Sequence, residues 1–279
     1  MTEISGEGSA IDASAAMALL EPLTDIVARA GAAVLAIARP AMKVQNKTDG
    51  SPVTEADMAA DRIIAEGLAK LIPEVPTLSE ERTHLAERPY TNSFFLIDPL
   101  DGTTEFVAGR DEFTINLALV TRGQPVLGIV GAPALGLIWR GVVGHGAERL
   151  LVTKDAQSRA AQPIKTRKHP GPGGAWIVAV SRSHMDKRTQ AFIAARPGAI
   201  RQVMGSAIKF CRVAEGGADI YPRLSPTSEW DVAAGQAVVM AAGGTITDSK
   251  GAALRFGEAH EGFRVPEFIA WGDASAAGQ

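Results

Sequence analysis

Phe94-Phe95-Leu96-Ile97-Asp98-Pro99-Leu100-Asp101-Gly102-Thr103-Thr104-Glu105-Phe106 passes from an apolar run into two carboxylates, a glycine and two hydroxyls. A short apolar run bounded by turn residues reads as a buried strand. Pro99 has no N–H and a fixed φ, which predicts that the strand ends at Asp98. Gly102 lets the backbone turn sharply and approach a ligand closely. Asp98 and Asp101 then stand at a strand end with the Leu100 carbonyl between them. Such hard oxygens suit Mg²⁺, Ca²⁺ or Mn²⁺ far better than zinc. Thr103 and Thr104 add hydroxyls and backbone N–H groups of the kind that hold a phosphate at a turn. Asp, Pro and Gly also make ordinary turns for purely local reasons, so the rest of the chain has to decide.

Upstream, residues 1–15 are small and polar and are expected to form a disordered tail. Leu19, Leu20, Leu23, Ile26, Val27, Val34 and Leu35 recur at helical spacing, which predicts a helix from about Ala16 to Ala38, stopped by Pro40. Thr54 fits an N-cap and Asp57 the acid of a capping box, ahead of a second helix through Ile63, Ile64 and Leu68. Capping alone explains Asp57. Val75–Leu78 reads as a short strand ending in Ser79-Glu80-Glu81, two acids that are either solvated or ligands.

Downstream, Phe113–Val120 alternates as a strand does, and Val126–Val130 and Leu137–Val143 extend it into an antiparallel meander. Residues 153–174 are polar and rich in Gly and Pro, and read as a loop between an N-terminal subdomain, 16–152, and a C-terminal one, 153–272. A tail, 273–279, follows. In the second half, strands are expected at Trp176–Val180, Ile200–Val203, Ile220-Tyr221, Thr245–Thr247 and Phe268–Trp271. Helices are expected at about Asp186–Ala195, after Gly205-Ser206, and over 232–242 behind Trp230-Asp231. Elements mix without strict βαβ alternation, which argues for layered sheets and helices over a Rossmann unit.

Composition narrows the function. The net charge is -3, with no basic excess to suggest nucleic acid. Cys211 is the only cysteine, which excludes an internal disulfide and a Cys-based zinc cluster. The N-terminus does not resemble a signal peptide, and the apolar stretch Ala30–Ala38 is too short to span a bilayer. The expectation is a cytoplasmic protein without an integral membrane segment.

Asp57, Glu80, Glu81, Asp98, Asp101 and Asp231 all lie at element ends, and such an oxygen cluster calls for divalent metal. His184, Ser206, Lys209 and Arg223 form a second set. Singly, each is an ordinary surface residue. Together, Ser206 at a helix start and Lys209 one turn on are expected to make an anion site, provided that the set faces the acids.

Asp98-Pro99-Leu100-Asp101-Gly102-Thr103, with Ser79-Glu80-Glu81 before it and Trp230-Asp231-Val232-Ala233-Ala234-Gly235 after it, resembles the inositol monophosphatase superfamily of Mg²⁺-dependent phosphatases. Ser51-Pro52-Val53-Thr54, Val180-Ser181-Arg182-Ser183-His184, Gly205-Ser206, Lys209-Phe210-Cys211 and Tyr221-Pro222-Arg223 are similar to its bacterial bisphosphate nucleotidase branch. Thr104 resembles the inositol phosphatase form and Glu105 the nucleotidase form. The resemblance spans about residues 17–270.

It implies a mixed α/β (α+β) fold, a layered α/β/α/β/α sandwich. It implies Mg²⁺ held by Glu80, Asp98, Asp101, Asp231 and the Leu100 carbonyl, and a water oriented by Thr103 with support from Asp57. Gly102 and Thr103 would hold the scissile phosphate, and His184, Ser206, Lys209, Arg223 and Asp231 the rest of the substrate. The implied reaction removes the 3'-phosphate of adenosine 3',5'-bisphosphate to give AMP. The implied partner is a small phosphorylated nucleotide. A homodimer, and peripheral attachment at the inner membrane, are compatible with it. Inositol monophosphatase or fructose-1,6-bisphosphatase activity, or a non-catalytic sensor of metal and nucleotide, are the alternatives. A sensor would not need Thr103 paired with Asp57.

Overall fold

The computed structural model describes residues 10–37, 44–46, 52–85, 92–153, 158–257 and 262–277. The first half runs α1 (Ala13–Ala36), β1 (Val44–Asn46), β2 (Pro52–Thr54), α2 (Glu55–Leu71), β3 (Thr77–Ser79), β4 (Ser93–Asp101), α3 (Thr103–Val107), β5 (Thr114–Thr121), β6 (Gln124–Ala132), β7 (Leu137–Val142), β8 (Gly146–Val152) and β9 (Ser158–Ile164). The second runs β10 (Ile177–Ser181), α4 (Lys187–Ala194), β11 (Ile200–Met204), α5 (Ile208–Ala214), β12 (Ile220–Arg223), β13 (Thr227–Ser228), α6 (Ala233–Ala241), β14 (Thr245–Thr247), β15 (Arg264–Val265) and β16 (Phe268–Trp271).

Strands β3 to β9 form a seven-stranded sheet in chain order, and β11-β10-β12-β16-β14 form a five-stranded one. Strands with two buried faces must be apolar on both, and β4 and β5 are. Phe94, Leu96, Ala118 and Val120 face α5 and α6, which the five-stranded sheet covers on its other side. Phe95, Ile97, Leu117 and Leu119 face α1 and α2. Helix α4 closes the far side of the second sheet through Ile193 against Val180, Ile220 and Trp271. The result is the expected α/β/α/β/α layering. Each buried side chain of this kind contributes roughly 1.5–3 kcal/mol. No helix among the described residues is long and apolar enough to cross a membrane.

The strand register carries the site. Asp98 pairs with Asn116 and Asp101 with Thr114, so three steps along β4 match two along β5. The extra residue is a β-bulge. Without it, residues three apart would point to opposite faces. With it, Leu100 joins Phe95 and Ile97 on the α1–α2 side, while Asp101 returns to the face of Asp98. Pro99 therefore does not end the strand as expected. It sits in a bulge, where a residue lacking an N–H is tolerated.

Other boundaries moved as well. Helix α1 starts at Ala13, because the Asp12 side chain caps the Ala15 N–H, so residues 10–15 are not a tail. The segment 153–174, read as a loop, contains strand β9, which pairs with β8 and extends the first sheet to Ile164. The expected tail after 272 begins with a short turn, Ala274–Ala276, capped by the buried Asp273. The expected helix stop at Pro40 and most of the first tail, residues 1–9, lie outside the described residues.

Candidate active site

A cavity of about 460 Å³ opens where the end of β4 meets α5, β12 and the turn before α6. Glu80, Asp98, Leu100, Asp101, Gly102, Thr103 and Asp231 line it, and so do His184, Ser206, Lys209 and Arg223. Two groups far apart in sequence thus share one cavity. Asp57 does not line it but stands behind Thr103.

Asp57 does two jobs with two oxygens. Its Oδ2 accepts from the Thr54 N–H (2.8 Å) and the Thr54 hydroxyl (2.6 Å), completing the capping box of α2. Its Oδ1 accepts from Thr103 Oγ1 at 2.9 Å. The Leu100 carbonyl is a second acceptor for that hydroxyl, at 3.1 Å. The Thr103 proton is therefore directed into the protein, and the Thr103 oxygen remains an acceptor at the cavity. Burial pushes the Asp57 carboxyl up, against the pull of the Thr54 and Thr103 hydrogen bonds.

The acids repel one another. Asp98 is 1 % exposed, and burial followed by the charges of Glu80, Asp101 and Asp231 drives its carboxyl well above the usual range. Burial and Asp231 push Asp101 up to about 6, opposed by Lys209 and Arg223. Three acids spend part of their acceptor capacity on the scaffold. Asp98 Oδ1 accepts from the Leu100 N–H, Asp101 Oδ2 from Thr114 and Asn116, and Asp231 Oδ2 from the Thr227 hydroxyl and the Ser228 N–H. As the side chains stand, no three His, Cys, Asp or Glu among the described residues are grouped so as to hold a metal. The donor chemistry nevertheless fits a hard cation. Every group is an oxygen, one oxygen of each of these three carboxylates is uncommitted by those bonds, and the buried mutual repulsion is what a bound cation relieves.

That repulsion predicts a pH signature in chelator. A carboxyl whose pKa rises on folding costs stability as pH climbs through its folded value, near 6 for Asp101. Asp101→Asn should therefore raise Tm at pH 8 and raise it less at pH 5. Thermal melts at both pH values check this; an equal shift at both would contradict it.

On the cationic side the structure revises the expectation for Ser206. Ser206 does not start a helix: α5 begins at Ile208, and Ser206 adopts a positive φ of 49°. Its hydroxyl lies 2.8 Å from the Asp101 carbonyl and 2.9 Å from that of Glu112, so it donates inward and braces the turn. A Cβ on Gly102, at φ 91°, would come within 2.2 Å of that Oγ, so only glycine fits this turn. Lys209 is 3 % exposed, and burial lowers its ammonium to about 8 despite Asp101 nearby. One of its N–H groups goes to the Ser206 carbonyl at 2.5 Å, leaving two. Burial, then the charges of Arg223 and Lys209, lowers His184.

Sequence reasoning missed the braces. Glu105 accepts from Ser183 Oγ at 3.0 Å, beside His184. Glu112 accepts from the Gly205 N–H (3.0 Å) and from Arg182 (2.6 Å). Only the polar Thr114 and Asn116, alternating within an apolar strand, signalled such a role beforehand.

The chain is similar to proteins of one family over nearly its whole length. Residues 17–271 match the Inositol monophosphatase family. The 3'(2'),5'-bisphosphate nucleotidase CysQ of Salmonella typhimurium is 40% identical over 255 residues, 90% of this chain and 98% of that protein. The protein of that name from Escherichia coli K12 is 38% identical with the same coverage. The crystal structure of CysQ from Bacteroides thetaiotaomicron superposes with a TM-score of 0.73 at 29% identity, covering 90% of this chain and 96% of that one. An IMPase of Thermotoga maritima gives 0.72 at 25% identity, covering 90% and 91%. The match over residues 17–271 and the identity to these relatives place this chain in the inositol monophosphatase family.

Proposed function

We infer that the chain is a 3'(2'),5'-bisphosphate nucleotidase, a phosphoric monoester hydrolase that converts adenosine 3',5'-bisphosphate to AMP and phosphate. The supporting observation is one cavity with an acidic wall, Glu80, Asp98, Asp101 and Asp231, and a cationic wall, Lys209 and Arg223. A phosphate ester already carries negative charge, so catalysis here is positioning plus electrostatics. Mg²⁺ is the ion proposed for the acids and the Leu100 carbonyl, where it would neutralise phosphate charge and acidify water. Thr103 accepts a hydrogen bond from the attacking water, and Asp57 keeps the hydroxyl proton turned away. Gly102 and Thr103 seat the scissile phosphate. Lys209, Arg223 and His184 face the nucleotide and its second phosphate, and Ser206 keeps the turn in place. The same reading makes this a cytoplasmic enzyme.

Phosphate release from adenosine 3',5'-bisphosphate, inositol 1-phosphate and fructose 1,6-bisphosphate tests it. The first should be fastest, and a preference for inositol 1-phosphate would overturn the substrate. Lys209→Ala and Arg223→Ala each remove a charge-assisted contact of roughly 1.5–3 kcal/mol, about tenfold or more in kcat/KM on the bisphosphate. Equal losses on inositol 1-phosphate would show that neither reads the second phosphate.

A further inference from the structure

Arg264 belongs to neither set of residues above, yet it lines the same cavity. It lies on β15, whose register places it directly across from Ser228 on β13. Ser228 and Thr227 are the residues that hold Asp231, so Arg264 stands on the Asp231 side. Its side chain is exposed, and it has no ion-pair partner among the described residues.

The other cations are differently placed. Lys209 is buried and spends one donor on the Ser206 carbonyl. Arg223 is half-buried, its Nε has no hydrogen-bond partner, one terminal nitrogen lies 3.4 Å from the Pro226 carbonyl, and the guanidinium also meets the Tyr221 hydroxyl. If the scissile phosphate sits at the Asp98–Thr103 corner, as proposed above, a second phosphate across the ribose would lie farther toward solvent. Of the cations that line the cavity, Arg223 is half-buried and Arg264 exposed, so a phosphate there would be approached by one guanidinium from within and by the other from the rim. A planar guanidinium donates two parallel hydrogen bonds to a phosphate, which an ammonium cannot.

We propose that Arg264 is a specificity-determining residue that, with Arg223, grips the phosphate that is not cleaved. This rests on the nucleotidase reading above. The test is steady-state phosphate release by the full chain with Mg²⁺, on adenosine 3',5'-bisphosphate and on adenosine 3'-monophosphate, which lacks the second phosphate. Arg264→Ala should lower kcat/KM on the bisphosphate about tenfold, mostly through KM, and lower it less than about twofold on the monophosphate. Arg264→Glu should lose more, and Arg264→Lys should keep part of the activity. Residue 264 is exposed, so thermal melts should show all three variants folded. An unchanged KM on the bisphosphate, or equal losses on both substrates, overturns the role of Arg264 while the nucleotidase reading stands. A wild-type enzyme that does not prefer the bisphosphate overturns both.

Discussion

Thr103→Ala should lower kcat by about a hundredfold or more while KM moves by less than about threefold, the pattern of a group that acts on the transition state. The reason is the direction of one proton. Asp57 Oδ1 and the Leu100 carbonyl both compete for the Thr103 hydroxyl hydrogen, which leaves its oxygen to accept from water. Asp57→Asn should do nearly as much damage by reversing that polarity. The Asn oxygen is claimed by the Thr54 N–H and hydroxyl, so its amide NH₂ would face Thr103 and donate where Asp57 accepts. If the pair acts as one unit, the double variant should be little worse than either single one. Were Asp57 only a cap, Asp57→Asn would cost about 1 kcal/mol of stability or less and leave kcat alone. Steady-state kinetics with a thermal melt on each variant separates the two roles.

Asp98→Asn and Asp231→Asn should each lower kcat/KM at least about a hundredfold, since even groups behind the ligands of a metal site are worth 10–100-fold. The fold should survive both changes. Asp98 is crowded by three other acids, so removing its charge relieves repulsion in the metal-free protein. Asn at 231 still offers an oxygen to Thr227 and Ser228. Chelator should abolish wild-type turnover and added Mg²⁺ should restore it. Full activity in excess chelator, or variants as active as wild type, would remove the acids from the reaction.

What the sequence made legible follows from the range of the interactions. The apolar run Phe94–Ile97, the capping box Thr54–Asp57 and the alternation of β5 are local patterns, and each became the expected element. The mixing of elements indicated layers, but the order of the layers came from the family resemblance, because no local pattern says which sheet covers which helix. The bulge was not legible, since Pro99 signals the end of a strand unless the partner strand is known to continue. Nor was the inward turn of Ser206, which depends on carbonyls at 101 and 112, about a hundred residues away in sequence. Arg264 was equally silent: a lone arginine in Gly262-Phe263-Arg264-Val265 shows nothing until β15 pairs with β13.

The bulge in β4 also makes the chain unequally tolerant of changes in length. Removing Pro99 would leave Asp-Leu-Asp, two steps matched by two in β5, with both acids still on one face. The strand would run straight, however, and the Leu100 carbonyl would be drawn toward the ladder and away from Thr103. Adding a residue, unless a second bulge absorbed it, would turn Asp101 toward the apolar layer of Phe95 and Ile97, where a carboxylate has no partner. At this corner a deletion takes away one oxygen and keeps the acids together, whereas an insertion buries an unpaired charge and endangers folding itself.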